Sequence, residues 1–408
     1  MFYKIAGIDV HKKVLMVVVI AASTPDCEPE RRRFATMPSD LRRLLSWLQE
    51  KEVKEAVMEF TAQYWRSVWL ALEPYMRLQL AQAFSNRAPR GRKHDFKDAE
   101  RLVRRLIADE LILSFVPNGE QRTWRNMTRM KTQLTGDRVR LQSQMECLLE
   151  EMRIKLSSVV TDLLGVSGLR ILWALARGES DPKKLAALGE ESLRCSEEQL
   201  IDALTGSPQP MHRQLLSPQL QRPQLIDEQI AKLNGMIAQA LKPHQEAVAR
   251  LAEVPGFGVD SAQQVIAEVG VHAKTFPSAA QLTSWVGTCP GKEESAEENH
   301  NSRSAKGNKY LRRVLNQVAH AAARKKGGYF QAVFRRQLPR LGYKSAIWAI
   351  ARRLCRVVWK ILHDGVRFIE QGTECDPKLQ KHRARTLARA LRKLGYNVRI
   401  TPINPSAA

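Results

Sequence analysis

MFYKIAGIDVHKKVLMVVVI, residues 1–20, is the stretch on which the fold turns. Residues 3–9 alternate in polarity, residues 17–20 are a β-branched run, and His11-Lys12-Lys13 between them is a short polar turn. Together they read as a β-hairpin whose first strand ends on a carboxylate, Asp9. Further along, a third short strand is expected near residues 33–36. Ser39 or Asp40 can cap a helix with Leu41, Leu44, Leu45 and Leu48 on its apolar face. Residues 53–60 form a further strand carrying Glu59, and Trp65, Val68, Trp69 and Leu72 mark another helix. Residues 77–83 look like a fifth strand, residues 86–93 a basic loop, and residues 95–109 a helix with Leu102, Leu106 and Ile107 on one face.

The resulting order, βββαβαβα, is the succession of a ribonuclease-H-like fold. In that order the ends of the first and fourth strands lie side by side and the last helix packs over them. Asp9, Glu59, Asp95 and Asp98 then converge from three distant segments, Asp95 and Asp98 sharing a helix face at i and i+3. Glu59 is the most telling, because Val57, Met58 and Phe60 surround it and a bare carboxylate there would cost several kcal/mol. Each of the others has a plainer reading, as a turn, a cap or a solvated face. Four clustered carboxylates would repel one another, and paired divalent cations would relieve that while neutralising the charge that gathers in phosphodiester chemistry. The expected cofactor is Mg²⁺.

Composition points the same way. Lys and Arg number 65 against 42 Asp and Glu, a formal charge of +23 spread along the chain. Such a surface attracts phosphate backbones, a membrane surface being the weaker alternative. Arg87, Arg90, Arg92 and Lys93, just before the last acidic pair, can guide a backbone toward it. The six cysteines stand far apart with no C-x-x-C pair, so neither a zinc site nor a disulfide framework is expected. No apolar run approaches the ~20 residues of a membrane span, and a cytoplasmic protein with no membrane partner follows.

At 408 residues more than one unit is expected. Residues 1–115 form the acidic α/β domain. Residues 120–250 carry coiled-coil helices: Met127, Met130, Leu134, Leu141, Met145, Leu148 and Met152 recur at three- and four-residue spacing, as do Leu225, Ile230, Leu233, Ile237 and Leu241. The two can pair antiparallel around a helical insertion at 157–224, with Pro243 ending or kinking the second. Residues 251–370 read as a mostly helical domain, opening on Val254-Pro255-Gly256-Phe257-Gly258. That glycine turn either presents N–H groups to phosphate or is a tight turn between core helices. Residues 287–308 are a polar loop, residues 310–323 and 345–362 are helices, and 371–408 is a basic tail with a helix at 383–394.

Three segments, Gly7-Ile8-Asp9-Val10-His11-Lys12, Glu59-Phe60-Thr61-Ala62-Gln63-Tyr64-Trp65 and Lys93-His94-Asp95-Phe96-Lys97-Asp98-Ala99, resemble the acidic motifs of the DEDD transposases of the insertion sequence 110 family. Val254 to Gly258, Phe276-Pro277-Ser278, residues 287–295 and Lys306-Gly307-Asn308-Lys309-Tyr310-Leu311-Arg312-Arg313 are similar to that family's C-terminal transposase domain. The resemblance covers nearly the whole chain before about Gly372. It implies a RuvC-like metal domain joined to a helical transposase domain with a nucleophilic serine in the loop after a Gly-x-x-Pro turn. Here Gly287-Thr288-Cys289-Pro290 leads to Ser295. Glycine often follows that serine in the family, whereas Ala296-Glu297-Glu298 follows here, which keeps Ser302 and Ser304 as alternatives. Tyr310 sits in an apolar-periodic helix, where a core role outweighs a nucleophilic one. The resemblance further implies a covalent phosphoserine, donor and target DNA, a non-coding guide RNA, and a homo-oligomer, a dimer or a tetramer on DNA. Arg303, Lys306, Lys309, Arg312 and Arg313 form a basic cluster suited to phosphate contacts.

Overall fold

The computed structural model describes residues 3–22, 28–59, 62–83, 95–289, 293–295, 298–301, 306–370 and 377–400. The chain divides into two compact units, Met1–Pro117 and Asn118–Ala408.

The first unit is built on the opening hairpin. Strands β1 (Lys4–Val10) and β2 (Val14–Ala21) pair antiparallel, the His11 amide donating to the Val14 carbonyl at 3.0 Å to close the turn. Strand β3 (Glu30–Ala35) pairs antiparallel with β2. Helix α1 (Pro38–Glu50) follows, then β4 (Val53–Glu59), α2 (Trp65–Leu72), β5 (Arg77–Ala81) and α3 (Asp95–Ile107). The sheet order is β3-β2-β1-β4-β5, with β4 parallel to both β1 and β5. This is a mixed α/β unit of the expected succession, consistent with a RuvC-like domain. One local expectation fails: Met37 is the N-cap of α1 without a side-chain bond and Pro38 starts the helix. Proline fits because its missing N–H would have had no helical partner. Asp40 instead pairs with Arg43 at 2.9 Å.

Helices cover both faces of the sheet, which is why β2 reads Val-Leu-Met-Val-Val-Val-Ile rather than alternating. Ala6, Ile8, Val10, Ala56 and Met58 pack with Leu44, Leu48, Val68 and Leu72 of α1 and α2. Ile5, Val18, Ile20, Val57 and Ala81 pack on the opposite face with Ala99, Leu102 and Val103 of α3. Each fully buried aliphatic side chain contributes about 1.5–3 kcal/mol of hydrophobic stabilisation. Gly7 lies beneath α3, and a Cβ there would fall 2.1 Å from the Ala99 carbonyl oxygen. The helix therefore rides directly on the backbone of β1.

The second unit is helical. Helix α4 (Gly119–Glu151) is capped by Asn118, whose side chain accepts from the Gln121 amide. Short helices α5 (Leu156–Val159), α6 (Val166–Ala176), α7 (Pro182–Ala186) and α8 (Glu197–Leu204) follow. Helix α9 (Pro210–Ala240) begins well before the periodic run at Leu225 and carries Pro218 and Pro223 within it. Helices α4 and α9 pack antiparallel: Trp124 and Met127 share a core with Leu233 and Ile237, while Leu141 and Met145 share one with Leu216 and Leu220. Pro243 does end the helix, in a 3-10 turn at Lys242–His244.

Helices α10 (Gln245–Ala252) and α11 (Val259–Val269) flank the glycine turn, followed by α12 (Ala279–Val286), strands β6 (Glu293–Ser295) and β7 (Glu298–Asn301), α13 (Lys309–Arg324), α14 (Tyr329–Asp364) and α15 (Pro377–Lys393). The turn serves packing: a Cβ on Gly256, at φ 89°, would lie 2.5 Å from the Val318 carbonyl of α13. Asp260 in the first turn of α11 also leaves that helix start unsuited to phosphate. The polar loop at 287–308 contains the antiparallel pair β6–β7, which its composition does not signal. Helix α14 bends at Gly342, φ 70°. Among the described residues no helix is long and apolar enough to cross a membrane.

Candidate metal centre and serine segment

Asp9 is the next-to-last residue of β1, and in the parallel register Ile8 lies beside Met58, so Asp9 and Glu59 are the next residues along neighbouring strands. Side chains alternate across a strand, which sends both toward the α3 side, opposite Ile8 and Met58. Asp95 and Asp98 occupy the first turn of α3, where acidic groups are favoured by the helix dipole, and Arg104 and Arg105 stand in its last turn.

The tight cluster among the described residues is Asp9, His11 and Asp95, whose ligand atoms all lie within 4.8 Å of one another. His11 Nε2 is 3.1 Å from Asp9 Oδ2 and 4.0 Å from Asp95 Oδ1. Asp98 stands outside that circle, bound at 2.8 Å by Arg101, and so does Glu59. His11 is the residue that sequence reasoning missed. Its signal was the Asp-Val-His spacing, since residues i and i+2 of a strand share a face.

Asp9 is only 9% exposed. Burial pushes its carboxyl above the ordinary carboxylate value; His11 pulls it back, and Asp98 and Asp95 add to the rise. Glu55, earlier on the same face of β4 and equally buried, is instead satisfied by the protein. It accepts from the Tyr3 hydroxyl and, at 2.9 Å, from Gln79 Nε2, with Arg77 at 3.5 Å. Asp9 has His11 alone among the described residues.

Ser295 ends β6, and its backbone pairs with Glu298. The segment that carries it leaves and re-enters the fold at one place. Gly287 caps α12 in the left-handed conformation, and Arg312 donates to its carbonyl while stacking on Trp348 at 4.3 Å. Gly307 packs so closely that a Cβ would meet Val286 and Gly287 backbone atoms at 2.2–2.5 Å. Asn308 caps α13, accepting from the Tyr310 and Leu311 amides at 3.0 Å, and donates to Glu268 Oε2 at 2.7 Å.

Glu268, 2% exposed on α11, anchors this corner. Arg129 grips it with two bonds of 2.8 and 2.9 Å, and Arg125 approaches at 3.6 Å. Burial draws Arg125 down to about 10, against the attraction of Glu268. Burial also opposes the charge of Arg129, but its bonds to Glu268 outweigh that and raise it. Glu268 was detectable by the reasoning applied to Glu59, a carboxylate flanked by Val265, Ile266, Ala267 and Val269.

Lys306 and Lys309 are exposed, and Arg313 extends from the same helix start. Tyr310 is held between Arg129 at 4.6 Å and Lys309 at 5.1 Å, in keeping with a packing role. Arg87, Arg90, Arg92, Lys93, Ser302, Arg303 and Ser304 lie outside the described residues.

A family model described as "Transposase", for the DEDD transposases of IS110 elements, matches residues 6–154. A second, "Transposase IS116/IS110/IS902 family", matches residues 248–335, and together they span more than half of the chain. The chain belongs to the IS110 family of transposases. It is also similar to a probable family 20 transposase of Pseudomonas aeruginosa, 26% identical over 310 residues that are 74% of this chain and 81% of that one. The first match contains all four acidic residues and His11, and the second contains Ser295 and Glu268. As an insertion-sequence transposase the protein has DNA as its substrate, and its family points to cutting and rejoining and to divalent-metal use. The donor set of this transposase fits such a cation. Carboxylates from β1 and α3 meet at a buried Asp9 that, among the described residues, is bonded by one imidazole.

Proposed function

We propose that the transposase cuts and rejoins donor and target DNA through a covalent phosphoserine on Ser295, assisted by Mg²⁺ held by Asp9, Glu59, Asp95 and Asp98 and directed by a non-coding guide RNA. The observation that carries this reading is the meeting of Asp9 and Asp95, from separate elements, within 4.8 Å at the end of the parallel strands. Bound there, the cation supplies Lewis acidity, neutralising charge on the phosphate and lowering the pKa of an oxygen nucleophile.

The chain's own residues have distinct tasks. Ser295 Oγ bonds to phosphorus as one P–O bond of the strand breaks, and the serine proton ends on the departing DNA hydroxyl. A second transfer reverses this onto a new strand, so the energy of the broken bond is retained. Lys306, Lys309 and Arg313 hold phosphates flanking the scissile one, and Arg303, Arg87, Arg90, Arg92 and Lys93 add to the positive charge that attracts the backbone. Arg312, engaged with Gly287 and Trp348, contributes by fixing the loop's base. The same reading makes the working form a homo-oligomer, a dimer or a tetramer on DNA. The charge of +23 suits a complex carrying RNA as well as DNA.

The test is a denaturing gel of protein incubated with donor DNA, target DNA and cognate RNA. A covalent protein–DNA adduct that Ser295→Ala abolishes and Ser302→Ala and Ser304→Ala retain supports the reading. Strand cleavage without any adduct assigns the attack to water and makes the protein a metal-dependent junction nuclease.

A further inference from the structure

The four carboxylates account for the metal centre of the proposed function without His11, yet the imidazole stands between two of them, Asp9 and Asp95. We infer that His11 is a direct nitrogen ligand of the divalent cation, which sets this centre apart from an all-oxygen one and makes it more tolerant of first-row transition ions than such a site. The inference rests on the metal reading given above.

Three observations carry it. The first is distance. Two ligands of one cation bonded at about 2.1 Å cannot stand more than about 4.2 Å apart. His11 Nε2 is already 3.1 Å from Asp9 Oδ2 and 4.0 Å from Asp95 Oδ1, inside that limit for both. The second is placement. The imidazole sits between carboxylates from a strand and from a helix, so a cation that engages Asp9 and Asp95 together enters beside Nε2. The third is support. His11 follows directly on β1, and the hydrogen bond its backbone N–H donates to the Val14 carbonyl fixes the backbone from which the ring projects. Its side chain is 36% exposed, enough to exchange a carboxylate partner for a cation without disturbing a core.

The chemical consequence follows from donor type. Carboxylates and water suit Mg²⁺, whereas imidazole is a borderline donor that Mg²⁺ takes reluctantly and transition ions accept. In the metal-free protein the ring partners Asp9. A bound cation would be held by the His11 Nε2 lone pair together with the Asp9 carboxylate.

The experiment uses Mn²⁺ and the full-length chain. Pulsed electron paramagnetic resonance of the Mn²⁺-loaded protein reads hyperfine coupling to a directly bonded ¹⁴N, and titration of the free-ion signal reads affinity. The wild type is expected to show the coupling. His11→Gln is expected to lose it and to bind Mn²⁺ at least about tenfold more weakly, the lower bound seen for groups that only support metal ligands. His11→Asp, an all-oxygen site, is expected to lose the coupling and to bind Mg²⁺ as well as the wild type does. Bound Mn²⁺ without nitrogen coupling in the wild type, or coupling that survives in His11→Gln, overturns the assignment and leaves the carboxylate site standing. Mn²⁺ binding that Asp9→Asn does not weaken overturns the carboxylate site itself, and His11 with it.

Discussion

Replacing Gly7 by alanine drives a methyl group into the underside of α3. The added Cβ would lie 2.1 Å from the Ala99 carbonyl oxygen, 2.7 Å from Val103 Cγ2 and 3.0 Å from the Ala99 carbonyl carbon, where ordinary contact begins at 3.4 Å. Restoring contact with the oxygen requires α3 to lift from β1 by roughly 1 Å, a displacement of the size that overpacked cores force on their backbones. Such overpacking costs about 1–3 kcal/mol. The functional effect is larger, because Asp95 and Asp98 ride on the first turn of that helix while Asp9 stays on the strand. A misplacement of about 1 Å in a reacting constellation is worth on the order of 100-fold in rate. Gly7→Ala is therefore expected to lower DNA cleavage about 100-fold, and to weaken Mn²⁺ binding, at a temperature where circular dichroism shows the variant folded. The control is Val103→Ala in the same background. It clears one clash but not the backbone oxygen, so activity stays low. Full activity in Gly7→Ala, or rescue by Val103→Ala, would refute the claim that β1 and α3 are held at backbone distance to assemble the acidic cluster.

Asp9 should make the metal-free protein pH-sensitive. Its raised carboxyl means that the folded state keeps a proton the unfolded state has lost, so stability falls as pH rises from the ordinary carboxylate value through the raised one, and stays lower above it. In chelator, Asp9→Asn should melt higher than the wild type at pH 7, with the gap closing on acidification; a gap that widens in acid contradicts the burial argument. Glu268→Gln leaves Arg125 and Arg129 facing a neutral group, and loss of one partner of a buried ion network costs about 3–5 kcal/mol, readable by urea denaturation of the second unit. Gly307→Ala sets a Cβ against three backbone atoms of Val286 and Gly287, none of which can rotate away. It should suppress the adduct proposed on Ser295 more strongly than Lys309→Ala does, and equal adduct yields would show that the loop's base does not matter.

The first unit was legible in the sequence because its signals are local. Period-two strands, a β-branched run and leucines at helical spacing sit in segments of five to thirteen residues, and the resulting order brings Asp9, Glu59 and α3 together. His11 reads as a turn residue, since strand alternation ends with the strand and the ring lies one residue beyond it. In the second unit, the start of α9 at Pro210 was hidden because Pro218 and Pro223 argue locally against a helix. Packing against α4, through Leu216 and Leu220, outweighs that preference. The β6–β7 pair was hidden because Glu293, Glu294, Glu298 and Asn299 carry no strand propensity.

Why the acidic cluster and the serine segment were unequally readable comes down to how each is held. The carboxylates hang from the ends of regular elements, so periodicity alone fixes their faces. The serine segment is held at its base by contacts remote in sequence: Glu268 to Arg129 across 139 positions and to Asn308 across 40, and Arg312 to Gly287 across 25. No local pattern encodes those pairs. What the sequence does carry is their residue types: a carboxylate inside an apolar helix, arginines on the facing helix, and an asparagine at a helix start. A buried carboxylate requires compensation wherever it occurs. That rule applies to Glu268 and to Asp9 alike, with opposite outcomes. Glu268 is satisfied by two arginines and an amide, which makes it a fastener, while Asp9 among the described residues meets one imidazole, which suits it to a cation.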